Sequence, residues 1–392
     1  MKTENWKKVR LGDICEIQSG GTPSRSKAEY WKDGTIPWVK IGDFSGKYLD
    51  KTTEHITHQG LDNSSAKLFS KGTILYSIFA TLGEATILNI DATTNQAIAG
   101  IKIKDKSSVD IDYFYYFLKS LKDEVNRIGR GVAQNNINLS ILKSFTIPLP
   151  SFETQKQIAA QLDKCTEVIA KNKQMLEKYD TLIKSRFIEM FGDNPTENGK
   201  WNIEKIEDVC TVTSSKRIYA EEQSTTGVPF LRISDLVSRI NGNPINDLFI
   251  PNSKFKEFQT KGLVPSVNDI LITSRGTLGL CYIIKPEDEF YFQDGMITWL
   301  AFKNHNKVLS VFIDWLFKSV LKTKIDNETN GATVKYVSIS DLKKLQIPVP
   351  QIELQNDFAS FVQQIDKSKF AVQKSLEKAE TLYKSLMQEY FA

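Results

Sequence analysis

Two stretches of the chain repeat the same order of prolines, polar residues and regularly spaced apolar residues. The first begins at Ile147 with IPLPSFETQKQIAAQLDK, and the second begins at Ile347 with IPVPQIELQNDFASFVQQIDK. The offset of 200 residues (347 − 147) holds without a gap from Gly131 and Gly331 to the ends of both stretches. Because proline disfavours a helix interior and pushes its predecessor toward extended geometry, each helix is predicted to begin after its second proline.

Apolar residues then recur at alternating steps of four and three, a 3.5-residue spacing that predicts a coiled-coil seam. The predicted seam positions are Ile158, Leu162, Cys165, Ile169, Asn172, Leu176, Tyr179, Ile183 and Met190 in the first copy, and Phe358, Val362, Ile365, Val372, Leu376, Ala379, Tyr383, Leu386 and Tyr390 in the second. The polar Asn172 is expected to fix register or partner, whereas Arg186 and Lys369 weaken the seam. The alternative is two separate surface helices, each with one apolar stripe on a globular core.

The segments before the two helices also correspond, although their offset drifts from 192 to 200 residues. Trp6 corresponds to Trp201, Cys15 to Cys210, and DILITSRGTLGLCYII to TILYSIFATLGEATIL. In the first half we predict strands at residues 36–41, ILYSI, ATIL and 97–103, a loop at 42–63 followed by a short helix, and an amphipathic helix at 110–125 that Asp110 caps. Strands and helices without clear βαβ alternation predict an α/β or α+β fold.

The repeat predicts a tandem duplication in which the framework is kept and the loops diverge. The expected domains are residues 1–150 and 192–350, with long helices at 151–191 and 351–392. Residues 192–196 (GDNPT) are predicted to form the hinge.

Composition describes an ordinary globular protein of more than one domain, with 392 residues, 41% hydrophobic and 25% charged. The start, MKTENWKKVR, has no apolar signal core and no run approaches ~18 apolar residues, so a cytoplasmic location is expected. A net charge of +4 is mildly basic. Four scattered cysteines predict no disulfide framework, and Cys15 and Cys210 are interpreted as a repeated core position rather than reactive thiols.

The sequence offers no catalytic constellation. It has no GxxxxGK[ST] phosphate loop, and His55, His58 and His305 lack cysteine or carboxylate neighbours at metal-ligand spacing. The DNPT segment lacks the second proline and the aromatic residue of a base-flipping methyltransferase motif. We therefore expect a binding subunit without a cofactor or metal of its own.

These features resemble the specificity subunit of type I restriction-modification systems. The resemblance rests on IPLP and IPVP with the glutamine-bearing helices behind them, on DILITSRGTLG, and on the SILK and SDLKK turns before the prolines. It also rests on a glutamine before a strand in each half, with Gln293 matched to Gln96. It covers nearly the whole chain, in the family's order of domains and helices.

The resemblance implies two target recognition domains, each reading one half of a split sequence in double-stranded DNA. It implies two long antiparallel helices that relate the domains by pseudo-two-fold symmetry, set the spacing and dock two copies of the methyltransferase (modification) subunit. Restriction and translocase subunits are further expected partners, and S-adenosylmethionine, ATP and Mg are expected only in partner subunits. A helix of about 39 residues spans roughly 58 Å, which is compatible with half-sites one ~34 Å DNA turn apart.

The residues that contact DNA are chosen from loops. Arg275 follows a predicted strand on a tight turn, where its guanidinium could fork onto guanine, Gly276 could allow close approach, and Ser274 or Thr277 could bind phosphate. The first half has IFAT there, so the arginine's role does not carry over. The full candidate set is Arg275, Ser274, Gly276, Thr277, Thr81, Arg130, Gln134, Asn135, Lys335, Tyr336, Lys216, Arg217, Arg25 and Lys27.

The structural alternative for these residues is a hairpin with solvated charges. Lys and Arg also contact phosphates, and so position the protein on DNA, more often than they specify bases. An alternative function is a coiled-coil adaptor whose globular ends bind proteins. Salt dependence distinguishes the two functions, because the affinity for DNA should fall steeply as the salt concentration rises. A fused nuclease or methyltransferase is a third interpretation, which the missing motifs oppose.

Overall fold

The structure is a computed structural model that describes residues 6–130, 136–275, 278–321 and 337–391. The chain forms two compact units, of which the first comprises Met1–Lys173 with Gln373–Ala392 and the second comprises Gln174–Val372. Both units combine helices with sheets whose strand pairs are mostly antiparallel, so the predicted mixed α+β fold is confirmed. Each long helix contributes one segment to each unit. The domain boundaries drawn from the sequence, which treat the helices as separate segments, stay a prediction.

The first unit contains short strands and helices in an order that follows the sequence prediction. Its described strands are β1 (Lys7–Arg10), β2 (Cys15–Ser19), β3 (Ile36–Val39), β4 (Tyr48–Leu49), β5 (Glu54–Ile56), β6 (Ile74–Ser77), β7 (Ala85–Leu88), β8 (Thr93–Thr94), β9 (Ile98–Ile103) and β10 (Thr146–Leu149). Its helices are α1 (Leu11–Ile14), α2 (His58–Asp62), α3 (Ile111–Ser120), α4 (Lys122–Arg130), α5 (Leu139–Ser144) and the first part of α6 (Phe152–Phe191).

These strands form three sheets. The large sheet has the order β2-β9-β6-β7-β4, the small sheet has the order β5-β3-β8, and β1 pairs with β10. The segment 42–63, which the sequence predicts as loop, contains β4 and β5, because two- and three-residue strands leave too few alternations to detect. The short helix predicted after this segment lies inside it, as α2. The helix predicted at 110–125 is divided into α3 and α4 at Leu121.

The second unit repeats this order. Its described strands are β11 (Asn202–Lys205), β12 (Cys210–Thr213), β13 (Val228–Leu231), β14 (Phe249–Ile250), β15 (Ile270–Thr273), β16 (Cys281–Ile283), β17 (Tyr291–Phe292), β18 (Ile297–Phe302) and β19 (Gln346–Val349). Its helices are the end of α6, α7 (Ile206–Val209), α8 (Ile233–Ile240), α9 (Asn252–Thr260), α10 (Ser310–Leu316) with a π-helical turn at Phe317–Leu321, α11 (Ile339–Lys344) and the first part of α12 (Ile352–Phe391).

The sheets of the second unit are β12-β18-β15-β16, β14-β13-β17 and the pair β11-β19. Each has a counterpart of the same neighbour order in the first unit, where β4 adds an edge strand. In the second unit, α8 follows β13 instead. The internal repeat predicted from the sequence is therefore a repeat of folded structure, and the difference lies in the connections.

Segments of the two long helices pack antiparallel within each unit. In the first unit, the Tyr390 hydroxyl donates to Gln161 Oε1 at 2.9 Å, and Asn172 Nδ2 donates to Ser375 Oγ at 3.0 Å. Residues later in α6 thus meet residues earlier in α12, as an antiparallel pair requires. The polar seam residue Asn172 has a polar partner, which agrees with its predicted role in register.

The second unit shows the same antiparallel packing, with one change in the seam. Lys369 Nζ donates to Asp180 at 2.7 Å, and the rings of Phe187 and Phe358 lie 5.4 Å apart. Arg186 faces the other long helix, as predicted: it is half-buried, its guanidinium lies 5.9 Å from the centre of the Phe361 ring of α12, and it pairs with Glu189. The neighbouring Phe187, which the strict 3.5-residue repeat leaves off the seam, is fully buried, because a straight helix of 3.6 residues per turn drifts from that repeat.

A buried glutamine fastens the start of each long helix. Gln155 is 1% exposed; its Oε1 accepts from the Asp110 amide at 2.9 Å, and its Nε2 donates to the carbonyls of Ser108 and Pro150, each at 3.0 Å. In the second unit, Gln355 makes the corresponding bonds to Leu309, Lys307 and Pro350. This glutamine clamp fixes the long helix to the helix that covers the large sheet.

Two further predictions concern single residues. The side chain of Asp110 accepts from the amides of Asp112 and Tyr113, so the predicted cap of α3 is confirmed. Cys15 and Cys210 are 3% and 1% exposed, and burial raises the pKa of both thiols to about 12. Both therefore pack as core residues, as the sequence predicts.

Candidate nucleic-acid interface

Four segments of the first unit meet where β2 and β6 end and β9 begins. They are residues 20–23, 78–81, 95–97 and 136–138, and we call them the first loop cluster. The Ile78 amide donates to the Ala97 carbonyl at 2.9 Å, and the Ile137 amide donates to the Ile78 carbonyl at 3.0 Å. Glycine is required at position 20, since a Cβ there would lie 1.9 Å from Thr94 Oγ1.

The first loop cluster surrounds a pocket of about 290 Å³ whose lining includes Phe79, Gln96 and Asn136. Phe79 is 43% exposed and forms an isolated antiparallel bridge with Asn136. Gln96 is exposed, and its Oε1 accepts from the Thr22 hydroxyl at 2.5 Å. An exposed aromatic ring beside side-chain amides provides both a stacking surface and the donor–acceptor pairs that base edges match.

The second unit builds the same framework from residues 214–217, 274–275, 293–296 and 337, which we call the second loop cluster. The Ser274 amide donates to the Met296 carbonyl at 2.9 Å, and the Val337 amide donates to the Ser274 carbonyl at 3.1 Å. These bonds correspond to those of Ile78 in the first unit. The predicted correspondence of residues 274–277 with 78–81 is therefore confirmed for the described residues, and Arg275 stands at the position of Phe79.

The predicted match of Gln293 with Gln96 is wrong by one residue. The Gln293 amide donates to the Leu231 carbonyl at 2.9 Å, which is the bond that Asn95 makes to Val39 in the first unit. The residue that corresponds to Gln96 is therefore Asp294. The sequence match failed because one extra residue, Gly295, lies in the loop before β18.

In each unit a hydrogen bond between two side chains joins the loop after the first strand of the large sheet to the loop before its last strand. In the first unit it is the neutral bond between Thr22 and Gln96. In the second, Arg217 Nε donates to Asp294 Oδ2 at 2.8 Å, and this bond raises the pKa of Arg217. The Arg217 side chain is 64% exposed and that of Asp294 is 21% exposed. The two loop clusters thus share a backbone framework and differ in charge.

The structure separates the residues predicted at the turn after β15. Arg275 is exposed. Ser274 is 3% exposed and its hydroxyl lies 2.6 Å from that of Thr298, so the predicted phosphate contact through this hydroxyl is not supported. Thr81, at the corresponding turn of the first unit, is exposed.

The basic residues of the early loops fall into two groups. Lys216 and Arg217 are exposed in the second loop cluster, and the Lys216 amide donates to the Tyr291 hydroxyl at 2.8 Å. In the first unit, Arg25 lies 3.6 Å above the Trp31 ring and pairs with Glu54 at 2.6 Å. Lys27 donates to Tyr30 Oη at 2.9 Å, which raises the pKa of Lys27. Arg25 and Lys27 are also exposed, but their charged groups already contact side chains of the small-sheet region.

Gln134, Asn135, Gly276, Thr277, Lys335 and Tyr336 lie outside the described residues, as does the side chain of Arg130. They stay predictions.

Sequence reasoning missed Thr22 and Asp294 as site residues and treated Gln96 only as a family marker. The pairing of loops 20–23 and 95–97 depends on strand register, which no local pattern reports. The available signal was the position of Gln96 beside a strand end, where loop residues carry function more often than strand residues do.

Other chemistry is not supported by the ranges that the structure covers. No group of three or more His, Cys, Asp or Glu residues with metal-binding geometry occurs among them. None of their helices is both long enough and apolar enough to cross a membrane.

Comparison with known proteins gives one consistent family. The sequence model of the family described as "Type I restriction modification DNA specificity domain" matches residues 3–178 and 198–380. The type I restriction enzyme MjaIX specificity subunit of Methanocaldococcus jannaschii is 26% identical over 398 residues, covering 92% of this chain and 86% of that protein. The EcoprrI specificity subunit of Escherichia coli is 22% identical over 371 residues, covering 91% and 86%.

A solved structure has the same fold. The crystal structure of the type I restriction-modification system S subunit from M. genitalium matches with a TM-score of 0.61 at 17% identity, covering 99% of this chain and 96% of that chain. At this identity the likeness establishes the fold.

Proposed function

Because the chain belongs to the family of type I restriction modification DNA specificity domains, with a match in each half, we propose that each of its units reads one half of a bipartite DNA target. As a member of this family the chain is a specificity subunit and not an enzyme, and the catalytic activities reside in partner subunits. Its contribution to the assembly is then the choice of DNA sequence.

The observation that carries this proposal is the pair of loop clusters. The same backbone bonds, from Ser274 to Met296 and from Ile78 to Ala97, hold two clusters whose exposed side chains differ. A scaffold that is kept while its exposed residues change is suited to reading two unrelated sequences. Arg275 and Phe79, at corresponding positions, present a bidentate hydrogen-bond donor in one unit and an aromatic ring in the other.

The long helices are proposed to set the spacing between the half-sites. Each of α6 and α12 has 40 residues, which corresponds to a length of about 60 Å. That length suits half-sites separated by about one DNA turn of ~34 Å. The helices also dock the modification subunits, in two copies, and the restriction subunits join this core. S-adenosylmethionine, ATP and Mg are then bound by the partners.

Methylation mapping tests the proposal. The chain is expressed with the modification subunit of its own system in a host without restriction systems, and the genome is sequenced for methylated bases. We expect one motif with two short specific parts separated by a fixed number of unspecified bases. The control strain expresses the modification subunit alone and should show no such motif.

The assembly must be verified before a negative result is interpreted. If the purified complex contains both subunits and the genome carries no split motif, the proposal is refuted.

Shortening both helices by one heptad, residues 169–175 and 369–375, should change the number of unspecified bases or abolish methylation. An unchanged gap would refute the spacing role alone.

A further inference from the structure

We propose that the side-chain bond between the two loops of each cluster selects a base: Arg217, braced by Asp294, reads guanine in one half-site, and Gln96, braced by Thr22, reads adenine in the other. This inference rests on the proposed DNA-recognition function and adds the chemical identity of one base per unit. It assigns them a role in base selection, whereas a basic residue that contacts only phosphates adds no sequence preference.

The geometry of Arg217 fits a guanine contact. The bond to Asp294 uses Nε, so it leaves Nη1 and Nη2 to point along the outer edge of the guanidinium. Two parallel N–H donors on one edge match the O6 and N7 acceptors that guanine presents in the major groove. Arg217 is largely exposed and can reach a base, whereas the carboxylate that orients it is mostly shielded.

The carboxylate also argues against a phosphate contact. A phosphate bound by Arg217 would approach the negative charge of Asp294, and the repulsion between them would offset part of the attraction to the guanidinium. The edge of guanine carries no net charge, so it gains the two hydrogen bonds without this repulsion. An arginine paired with an acid is therefore better suited to specify a base than to neutralise the backbone.

Gln96 has the corresponding geometry in the first unit. The Thr22 hydroxyl donates to Oε1 and holds the amide plane, while Oε1 retains a second acceptor site and Nε2 has two hydrogens. A glutamine amide can donate to adenine N7 and accept from N6, which no other base offers in this order. The exposed ring of Phe79 lines the same pocket and can contact the methyl group of the paired thymine.

The two sites differ in chemistry although corresponding backbone bonds hold both, with Gly295 as one extra residue in the second. Asp294 takes the place of Gln96, as shown by the backbone bonds of the preceding residues Gln293 and Asn95. A neutral bond in one unit is thus replaced by an ion pair in the other. The predicted target therefore contains at least one essential guanine in the half read by the second unit and one essential adenine in the half read by the first.

Variants in the complete complex test this assignment by methylation mapping. In the Arg217→Lys complex, we expect the preference for guanine at one position of one half-site to fall by about tenfold to a hundredfold, because lysine keeps the charge but loses the bidentate fork. A phosphate contact would survive this change in large part. Arg217→Ala should remove the preference for guanine at the same position, and Asp294→Asn should reduce it in part. The base preferences in the other half-site should stay unchanged.

Gln96→Ala is the matched variant in the first unit. It should lower the preference for adenine at one position of the other half-site by about tenfold to a hundredfold and leave the preference for guanine unchanged. Lys261→Ala, which removes an exposed lysine paired with Glu257 in the second unit, is the control for loss of a surface cation and should leave the motif unchanged.

The outcomes distinguish this inference from the proposed function. A wild-type complex without a split motif refutes the proposed function. The inference alone is refuted if the wild-type complex gives a split motif and both variants give the same motif. It is also refuted if the variants lose base preference equally at all positions. If an assembled variant methylates too little to map, competition binding with duplexes carrying each base pair at the assigned position gives the preference directly, and equal affinity losses for all four again refute it.

Discussion

Replacing Gln155 by leucine tests whether the glutamine clamp holds the first unit together. The substitution keeps approximate side-chain volume and helix propensity, and it removes three hydrogen bonds, to the Asp110 amide and to the carbonyls of Ser108 and Pro150. Ser108 is an exposed residue, so its carbonyl can turn to water. The amide of Asp110 and the carbonyl of Pro150 are more shielded and lose their partners.

A buried backbone group without a partner costs about 1–3 kcal/mol, and two such groups cost about 3 kcal/mol together. Burying leucine in place of an amide offsets about 1 kcal/mol of this loss. We therefore expect a net destabilisation of about 2 kcal/mol, confined to the first unit. The equivalent Gln355→Leu change should produce a similar loss in the second unit, since it breaks three corresponding bonds.

Hydrogen exchange is the appropriate assay, because a chain of two compact units does not have a single free energy of unfolding. The Asp110 amide should exchange about 30-fold faster in Gln155→Leu, as expected for about 2 kcal/mol at a factor of ten per 1.4 kcal/mol. Gln157→Leu, at an exposed position of the same helix, is the control and should change stability by less than about 0.5 kcal/mol. Equal exchange at Asp110 in the two variants would refute the clamp.

Three further outcomes follow from the packing. Phe187→Ala should destabilise the second unit by about 3–5 kcal/mol, whereas Arg186→Ala next to it, at a partly exposed position, should cost less than about 1 kcal/mol; equal acceleration of hydrogen exchange in the second unit by the two variants would contradict this difference. Asn172→Leu should raise the thermal stability of the helix pair while loosening its register, which disulfide trapping between the helices would detect as additional products. Burial raises the pKa of Glu84, but hydrogen bonds from two lysines lower it by more, so the pKa in the folded protein lies below the ordinary 4.5. Ionised Glu84 therefore stabilises the fold above pH 4.5, and this stabilisation is lost as the pH falls through the pKa of the folded state. The stabilities of wild type and Glu84→Gln should converge on acidification, and a difference that stays constant with pH would exclude the linkage.

The sequence predicts the architecture because the features that define it repeat at a measurable distance. The prolines and apolar spacing of 147–190 recur at 347–390, and the structure contains helices of 40 residues at both places. The cap of α3 follows from local chemistry in the same way. The two-residue strand β4 was missed, because so short an element has no periodicity.

The candidate site was predicted less completely, for a reason that lies in the strand register. The backbone bond of Ile78 to Ala97 links positions 19 residues apart (97 − 78), and no spacing in the sequence reports that contact. The single inserted glycine at 295 then displaced the match of Gln293. Arg275 and Arg217 were identified by residue type, whereas the partner that orients Arg217 became visible only in the folded unit.

The division of the chain into units also has a consequence for synthesis on the ribosome. The core of the first unit includes Tyr390, whose ring stacks with Trp6 at 6.4 Å, and Phe391, whose ring lies 5.1 Å from that of Tyr113. The second unit is continuous in sequence and has all its residues once position 372 is made. The N-terminal part must wait for 200 more residues after Lys173 before Gln373 appears, which takes roughly 10–40 s at ~5–20 residues per second. The half of the protein that is translated first is therefore completed last, and its unfinished apolar surface is what chaperones would meet in the growing chain.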